Sequence, residues 1–159
     1  MLEIVARALA DNGNPSAVHA AGRRARARVE TARAQVADLV GADPTAVVFN
    51  SGGTEANAQG IASALAAGCE RLIVSATEHP CVAETAANAG APVEVLTVDA
   101  NGVVDLDWLA QALSRPGRAV VAIHHANNES GVIQPIAEAA ALVRACLLYT
   151  SPSPRDKRQ

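Results

Sequence analysis

The chain has 159 residues, of which half are hydrophobic, and a formal net charge of −3. This is enough apolar material for one ordinary domain, or for a piece of a larger one. The charges are scattered and give no basic surface for nucleic acid, and no apolar stretch reaches the roughly 18 residues that a membrane helix needs. We therefore expect neither nucleic-acid binding nor membrane insertion.

Cysteine usage and the first residues bear on the compartment. Cys69, Cys81 and Cys146 have neither the spacing of metal ligands nor the even number of a disulfide framework. We expect three reduced thiols and no metal site. The opening MLEIVARALADNG lacks the basic start and the cleavage site of a signal peptide, so the cytoplasm is the expected compartment.

Helices and strands alternate after residue 18. Apolar residues at helical spacing predict the first helix, with Gly41 as its stop, and Asp105 is predicted to cap a later one. In chain order the predicted elements are helix 21–40, strand 46–50, helix 54–67, strand 71–76, helix 80–89, strand 93–98, turn 99–102, helix 105–113, strand 119–125 and helix 135–145. Short apolar strands separated by helices predict an α/β fold, a mainly parallel sheet with helices on both faces.

The chain changes character at residue 146. There the sequence becomes CLLYTSPSPRDKRQ, which holds the only tyrosine, Tyr149, and the only lysine, Lys157. Its first part resembles the translation of a sequencing adapter read through in frame, so residues 146–159 are interpreted as a non-native tail that packs against nothing. A native disordered tail is the alternative. Residues 1–145 are expected to form one domain whose last part is missing.

A glycine-rich corner follows the first predicted strand. In NSGGTEAN, residues 50–57, Gly52 and Gly53 stand where strand passes into helix, and Thr54 adds a hydroxyl. The first N–H groups of a helix have no partner inside it and lie at the positive end of its dipole, so an anion fits there. Because the triphosphate and dinucleotide motifs are absent, the candidate ligand is a single phosphate. A plain helix cap is the alternative.

Polar side chains also follow two later strands. His79 lies in TEHPCV just beyond one predicted strand, and Asn128 lies in HHANNESGVIQP beyond another. Ligands bind at the carboxyl ends of the strands in open parallel sheets, so we predict that Thr54, His79 and Asn128 line one pocket. Taken singly, a surface histidine and a polar turn are the alternatives. Catalysis by Cys81 is disfavoured, since sequence neighbours on a turn rarely face each other.

Four segments together resemble the cysteine desulfurases, members of the class V aminotransferase fold of enzymes that use pyridoxal 5'-phosphate (PLP). In chain order they are GNPSAVHAAGRRAR, VVFNSGGTEANAQGI, SATEHPCV and HHANNESGVIQPI. The resemblance covers residues 1–145. It implies part of the large domain of a fold type I PLP-dependent enzyme.

The resemblance also implies roles for individual residues. Gly53 and Thr54 would hold the cofactor phosphate, His79 would lie over the pyridine ring and move protons as the catalytic residue, and Asn128 would reach the ring oxygen or the substrate. Members of the family use PLP as an electron sink, pass the sulfur of L-cysteine to an enzyme cysteine and leave L-alanine. The persulfide feeds a sulfur-acceptor protein for iron–sulfur clusters or other products, and the parent enzyme is expected to be a homodimer.

Four groups of the family lie beyond the matched region. They are the aspartate for the pyridine nitrogen, the Schiff-base lysine, the arginine for the substrate carboxylate and the sulfur-accepting cysteine. The only lysine here is Lys157, in the tail. We therefore expect an N-terminal fragment that is itself inactive, with Met1 an internal start. A related class V enzyme, such as a selenocysteine lyase or an aminotransferase, and a non-enzymatic truncated product are the alternatives.

Overall fold

The computed structural model describes residues 2–10 and 13–147, which divide into one compact unit that ends at Asn50 and another that begins at Ser51. The helices are α1 (Leu2–Ala10), α2 (Ala20–Val40), α3 (Gly53–Ala66), α4 (Pro80–Ala87), α5 (Leu106–Leu113) and α6 (Ile136–Leu147). The strands are β1 (Arg71–Ser75), β2 (Val93–Leu96) and β3 (Ala119–Ala122). Within the described ranges no helix is both long and apolar enough to cross a membrane.

Local capping sets the limits of α2 in the first unit. At its start, Nδ1 of His19 accepts a hydrogen bond from the N–H of Gly22 at 3.2 Å, which satisfies one of the donors that a helix start leaves free. At its end, Gly41 has φ +65° in the left-handed region, and the N–H of Ala42 donates to the carbonyl of Ala37 at 2.9 Å. The predicted stop at Gly41 is confirmed.

The strand predicted at 46–50 is wrong. Pro44–Ala46 forms a turn of 3-10 helix, and residues 47–50 pair with no strand among the described residues. Arg33 of α2 contacts this segment instead: its guanidinium donates to the carbonyl of Val47 and lies 5.3 Å from the centroid of the Phe49 ring. A strand forms only where a neighbouring ladder takes up its backbone groups, and a run of apolar residues does not specify that neighbour.

A three-stranded parallel sheet forms the core of the second unit, in the order β2-β1-β3. The central strand β1 is buried along its whole length, and its Ile73 lies opposite Glu94 of β2 and Val121 of β3. Among the described residues, β3 pairs on one side only and is an edge strand. The predicted α/β fold with a parallel sheet is confirmed.

Alternating side chains of β1 give the sheet two apolar faces, because successive residues of a strand point to opposite sides. Ile73 packs in a cluster with residues of α5 and α6, whereas Leu72 and Val74 pack in a cluster with residues of α3 and α4. The buried members of the first cluster are Ile73, Leu96, Val104, Leu109, Ala112 and Ala139, and those of the second are Ile61, Leu72, Val74, Val82 and Ala86. Helices therefore cover both faces, as predicted.

A buried ion pair holds the start of β1. Arg71 is only 8% exposed, and its guanidinium lies 2.8 Å from the carboxylate of Glu94. It also donates to the carbonyls of Arg115 and Gly117, and the Arg115 guanidinium contacts the same Glu94 carboxylate. A buried charge is tolerated when it is paired and hydrogen-bonded in this way. These contacts join β1 to β2 and to the loop before β3, at the end of the sheet away from the predicted pocket.

Some boundaries differ from the prediction. α1 was not predicted, and β3 ends at Ala122 rather than at 125. α6 continues through Leu147, so the predicted limit of the tail at residue 146 falls inside a helix. Residues 148–159 lie outside the described residues, and the interpretation of the tail stays a prediction there.

The sheet core yields a stability prediction. Ile73 is fully buried, so Ile73→Ala removes apolar contacts that the surroundings refill only in part, and we expect it to lower the free energy of unfolding by about 2 to 5 kcal/mol. Val95→Ala in β2 is the control: its side chain is 57% exposed, and a loss within about 0.5 kcal/mol is expected. Urea titration followed by circular dichroism measures both, and equal losses in the two variants would contradict this placement of the core.

Candidate active site

α3 begins at an open glycine corner. Its N-cap residue, Gly52, has extended backbone, and no side chain caps the helix there. A Cβ atom at Gly52 or Gly53 would meet no atom within 4 Å, so space in front of the first turn is open among the described residues. The exposed Thr54 adds its hydroxyl beside backbone N–H groups that have no partner inside the helix. The corner therefore offers donors to an anion.

Glu55 folds back over the same corner. Its Oε2 accepts hydrogen bonds from the hydroxyl of Ser51 at 2.6 Å and from the N–H of Ser51 at 2.7 Å. These two hydrogen bonds, the hydroxyl's first, hold the pKa of Glu55 below its ordinary value of 4.5. A carboxylate thus already lies at the positive end of α3, and an added anion would share that end with it. The sequence interpretation missed Glu55, although a serine just before a helix with a glutamate in the first turn signals such a contact.

His79 is the N-cap residue of α4. Its Nδ1 accepts a hydrogen bond from the N–H of Cys81 at 3.1 Å, so Nδ1 carries no proton and the proton of the neutral ring is on Nε2. The Cys81 sulfur instead accepts from the side-chain amide of Asn57 at 3.4 Å, which joins the start of α4 to α3. The contact between Cys81 and His79 is therefore made by backbone and not by the thiol.

The adjacent asparagines have different surroundings. Asn127 is half-buried: its Oδ1 accepts from the N–H groups of Glu129 and Ser130, each at 2.9 Å, and its Nδ2 donates to the carbonyl of Thr77 at 3.2 Å. Asn128 is exposed, and its side chain makes no hydrogen bond within the described part of the chain. Asn127 thus builds the turn, whereas the Asn128 amide is available to a ligand.

His79 and Asn128 lie together. Both line a cleft of about 80 Å³ between the loop that follows β1 and the loop that follows β3. His79 also lines a larger cleft of about 490 Å³, where Asn57 and Gly60 of α3 form part of the wall. His79 therefore stands between the Asn128 loop and α3.

The other two predicted residues lie apart from these clefts. In the part of the chain that the structure describes, neither Gly53 nor Thr54 lines either of the two. The strand that was predicted to lead into their corner does not form there. The roles of Gly53, Thr54, His79 and Asn128 stay predictions.

Glu78 and His124 join the two loops by direct contacts. Nδ1 of His124 lies 3.1 Å from Oε1 of Glu78, and the backbone N–H of His124 donates to the same oxygen. The two side chains are 6% and 16% exposed, respectively. His124 Nε2 is buried and has no hydrogen-bond partner among the described residues. Neither residue was predicted, because the contact spans 46 positions and no local pattern marks it.

Comparison with known proteins decides the family. Residues 3–150 match the family described as aminotransferase class-V. The chain belongs to this family. The resemblance stated from the four sequence segments is confirmed at this level.

Similar proteins are described as cysteine desulfurases or as NifS-like. The chain is 38% identical over 143 residues to a cysteine desulfurase IscS of Dictyoglomus turgidum, with 86% of this chain and 36% of the relative covered. It is 40% identical over 144 residues to a mitochondrial cysteine desulfurase of Saccharomyces cerevisiae, with 86% and 29% covered. A NifS-like protein from Rickettsia africae gives a TM-score of 0.82 at 32% identity, over 92% of this chain and 41% of that one. The chain spans about a third of the length of the curated relatives it matches.

The residues present fit part of a PLP site. The open corner at Gly52 and Gly53 leaves room for a phosphate at the backbone donors of α3. The Nε2 of His79 and the amide of Asn128 are polar groups at one cleft. No set of three His, Cys, Asp or Glu side chains in the described ranges could hold a metal ion.

The Glu55 contact predicts a pH dependence. Because the pKa of Glu55 in the folded chain lies below 4.5, its ionised form stabilises the fold fully above pH 4.5, and this contribution is lost as the pH falls through the folded-state pKa. We expect an NMR titration of the Glu55 carboxyl carbon to have its midpoint below 4.5, and Ser51→Ala to move the midpoint upward. An unchanged midpoint in Ser51→Ala would contradict the assigned cause.

The neighbouring asparagines give a matched pair of variants. Asn127→Ala removes two hydrogen bonds to exposed N–H groups and one to a part-buried carbonyl, so we expect it to lower the free energy of unfolding by about 0.5 to 1.5 kcal/mol. Asn128→Ala removes an exposed side chain and is expected to change it by less than about 0.5 kcal/mol. Chemical denaturation compares the two, and a larger loss in Asn128→Ala would reverse the assignment.

Proposed function

We propose that this chain supplies part of the active site of a PLP-dependent cysteine desulfurase, which takes sulfur from L-cysteine and leaves L-alanine. The observation that carries the proposal is the shared cleft of His79 and Asn128, in a chain of the class V family. Identities of 38 to 41% to proteins described as cysteine desulfurases support this member of the family over others.

The proposed roles follow from the surroundings of each residue. Backbone donors at Gly53 and the Thr54 hydroxyl would bind the cofactor phosphate at the open corner. When bound, PLP supplies an electron sink for the substrate. His79 would hold or move a proton at Nε2, because its Nδ1 is taken by the N–H of Cys81. Asn128 would orient the cofactor or the substrate through its amide.

Further groups would have to come from outside these 159 residues. The chain contains one lysine, Lys157, which lies outside the described residues. We propose that the chain alone does not turn over L-cysteine. On family grounds alone, we add to the proposal a sulfur-acceptor protein, a homodimeric full-length enzyme and a cytoplasmic location. The yeast relative, by contrast, is described as mitochondrial.

The phosphate corner predicts weak cofactor binding. About three charge-assisted hydrogen bonds at roughly 1.5 to 3 kcal/mol each give roughly 5 to 9 kcal/mol, against an association cost of about 4 to 15 kcal/mol. The most favourable combination is about 5 kcal/mol, so we expect the purified chain to bind PLP with a dissociation constant no better than about 0.2 mM, measured by phosphorus NMR. Thr54→Val should weaken binding, whereas Thr45→Val, an exposed position in the other unit, should leave it unchanged.

Activity is assayed in the same samples. PLP and L-cysteine are added, L-alanine is measured, and borohydride reduction followed by peptide mapping finds any modified lysine. We expect alanine at the level of the free cofactor. Turnover above that level, abolished by Lys157→Ala, would refute the proposed inactivity, and equal PLP binding in the parent and Thr54→Val would refute the phosphate site.

A further inference from the structure

Two loops of the second unit carry His79 and Asn128, and the sheet does not reach them. The ladder between β1 and β3 ends at the pair Val74 and Ala122. Beyond that pair, β1 and β3 no longer hold the two loops to each other, so other contacts must position one loop against the other. The contacts between Glu78 and His124 lie just past this point.

We propose that Glu78 and His124 form a clamp that fixes the His79 loop against the Asn128 loop, so that both are positioning residues of the site. The positioning role rests on the proposed function, because it consists in holding His79 and Asn128 at one cleft. The contacts themselves lie within this chain and do not depend on the proposed function.

The geometry of the clamp is specific. One carboxylate oxygen of Glu78 receives both the backbone N–H and the ring Nδ1 of His124. With this oxygen as the acceptor, as it is for the backbone N–H, the His124 tautomer that completes the contact carries its proton on Nδ1. The side chains of Glu78 and His124 are only 6% and 16% exposed. This burial excludes competing water and strengthens both hydrogen bonds.

The position of the clamp in the chain favours a positioning role over simple core filling. Glu78 immediately precedes His79, and His124 stands four residues before Asn128. A second contact joins the same loops, from Nδ2 of Asn127 to the carbonyl of Thr77 at 3.2 Å. The two contacts together restrain the loops at two points, which limits rotation of one loop against the other.

Two substitutions of His124 distinguish the contribution of Nδ1 from that of Nε2. In His124→Asn, the side-chain amide nitrogen takes the place of Nδ1 and keeps a donor for Glu78. In His124→Gln, the amide nitrogen takes the place of Nε2 and the donor to Glu78 is lost. Since Nε2 has no partner in the described part of the chain, the proposal requires His124→Asn to behave like the unsubstituted chain. It requires His124→Gln to lose the ring contact of the clamp, while the backbone N–H of residue 124 still donates to Glu78.

Amide hydrogen exchange of the 159-residue chain tests the clamp without any cofactor. In His124→Gln we expect the backbone amides of residues 77–79 and 124–128 to exchange about tenfold faster, as loss of a charge-assisted hydrogen bond implies. In His124→Asn the exchange rates should stay within about twofold of those in the unsubstituted 159-residue chain. His125→Gln is the matched control, because His125 is exposed, and should leave these rates unchanged. Circular dichroism of each variant verifies folding.

A double variant tests whether the two residues act as a unit. Glu78→Gln keeps the size of the side chain and removes its charge, and it should speed exchange of the same amides. Once Glu78→Gln is present, adding His124→Gln should change the rates by no more than about twofold, as expected for partners in one interaction. Independent, multiplying effects, or equal rates in His124→Asn and His124→Gln, would overturn the clamp.

PLP titration then separates this inference from the proposed function. If the clamp positions the site, PLP-induced shifts of the His79 ring signal should be the same in the parent and in His124→Asn, and reduced at least about fivefold in His124→Gln. Equal shifts in all three would overturn the positioning role. Absence of any PLP response in the parent would count against the proposed function, and the exchange rates would still decide the clamp.

Discussion

The parallel pairing of β1 with β3 is the constraint on which the candidate site depends. The two strands run side by side, and therefore their carboxyl ends meet at one edge of the sheet. Burial of β1 on both faces, with α3 and α4 on one side and α5 and α6 on the other, makes this pairing hard to shift. The polar residues beyond the strands become neighbours for this reason, although they are about fifty positions apart in the chain.

The starts of α3 and α4 carry the other residues that were predicted for the site. α4 begins just beyond the end of β1, and α3 and α4 each have backbone donors at the positive end of a helix dipole. At α4 the N–H of Cys81 donates to Nδ1 of His79, which leaves Nε2 outside this contact. At α3 the carboxylate of Glu55 lies on the same end, so this corner is less positive than the glycines alone would indicate.

Local features of this chain could be predicted from sequence, and contacts between distant residues could not. Gly41 and Asp105 act as predicted because a helix cap depends on residues within one turn. The parallel sheet was predictable from continuous apolar runs between helices. The strand at 46–50 failed since its partner is not specified locally, and α1 was missed although Leu2, Val5 and Leu9 recur at helical spacing. The sequence was enough to place His79 and Asn128 beyond strand ends. The contact between Glu78 and His124 could not be predicted, because it joins residues 46 positions apart.

The edge position of β3 bears on association between copies of this chain. Among the described residues, its outer row of N–H and C=O groups faces no strand, and its four residues, AVVA, carry no charge. An edge of this kind is a template for another strand, and neither proline nor a charged side chain blocks it. Self-association through β3 would bring a second molecule beside the strand that leads to His124 and Asn128. Protein concentration would then affect every spectroscopic comparison of variants, and a dilution series separates that effect from the effect of a substitution.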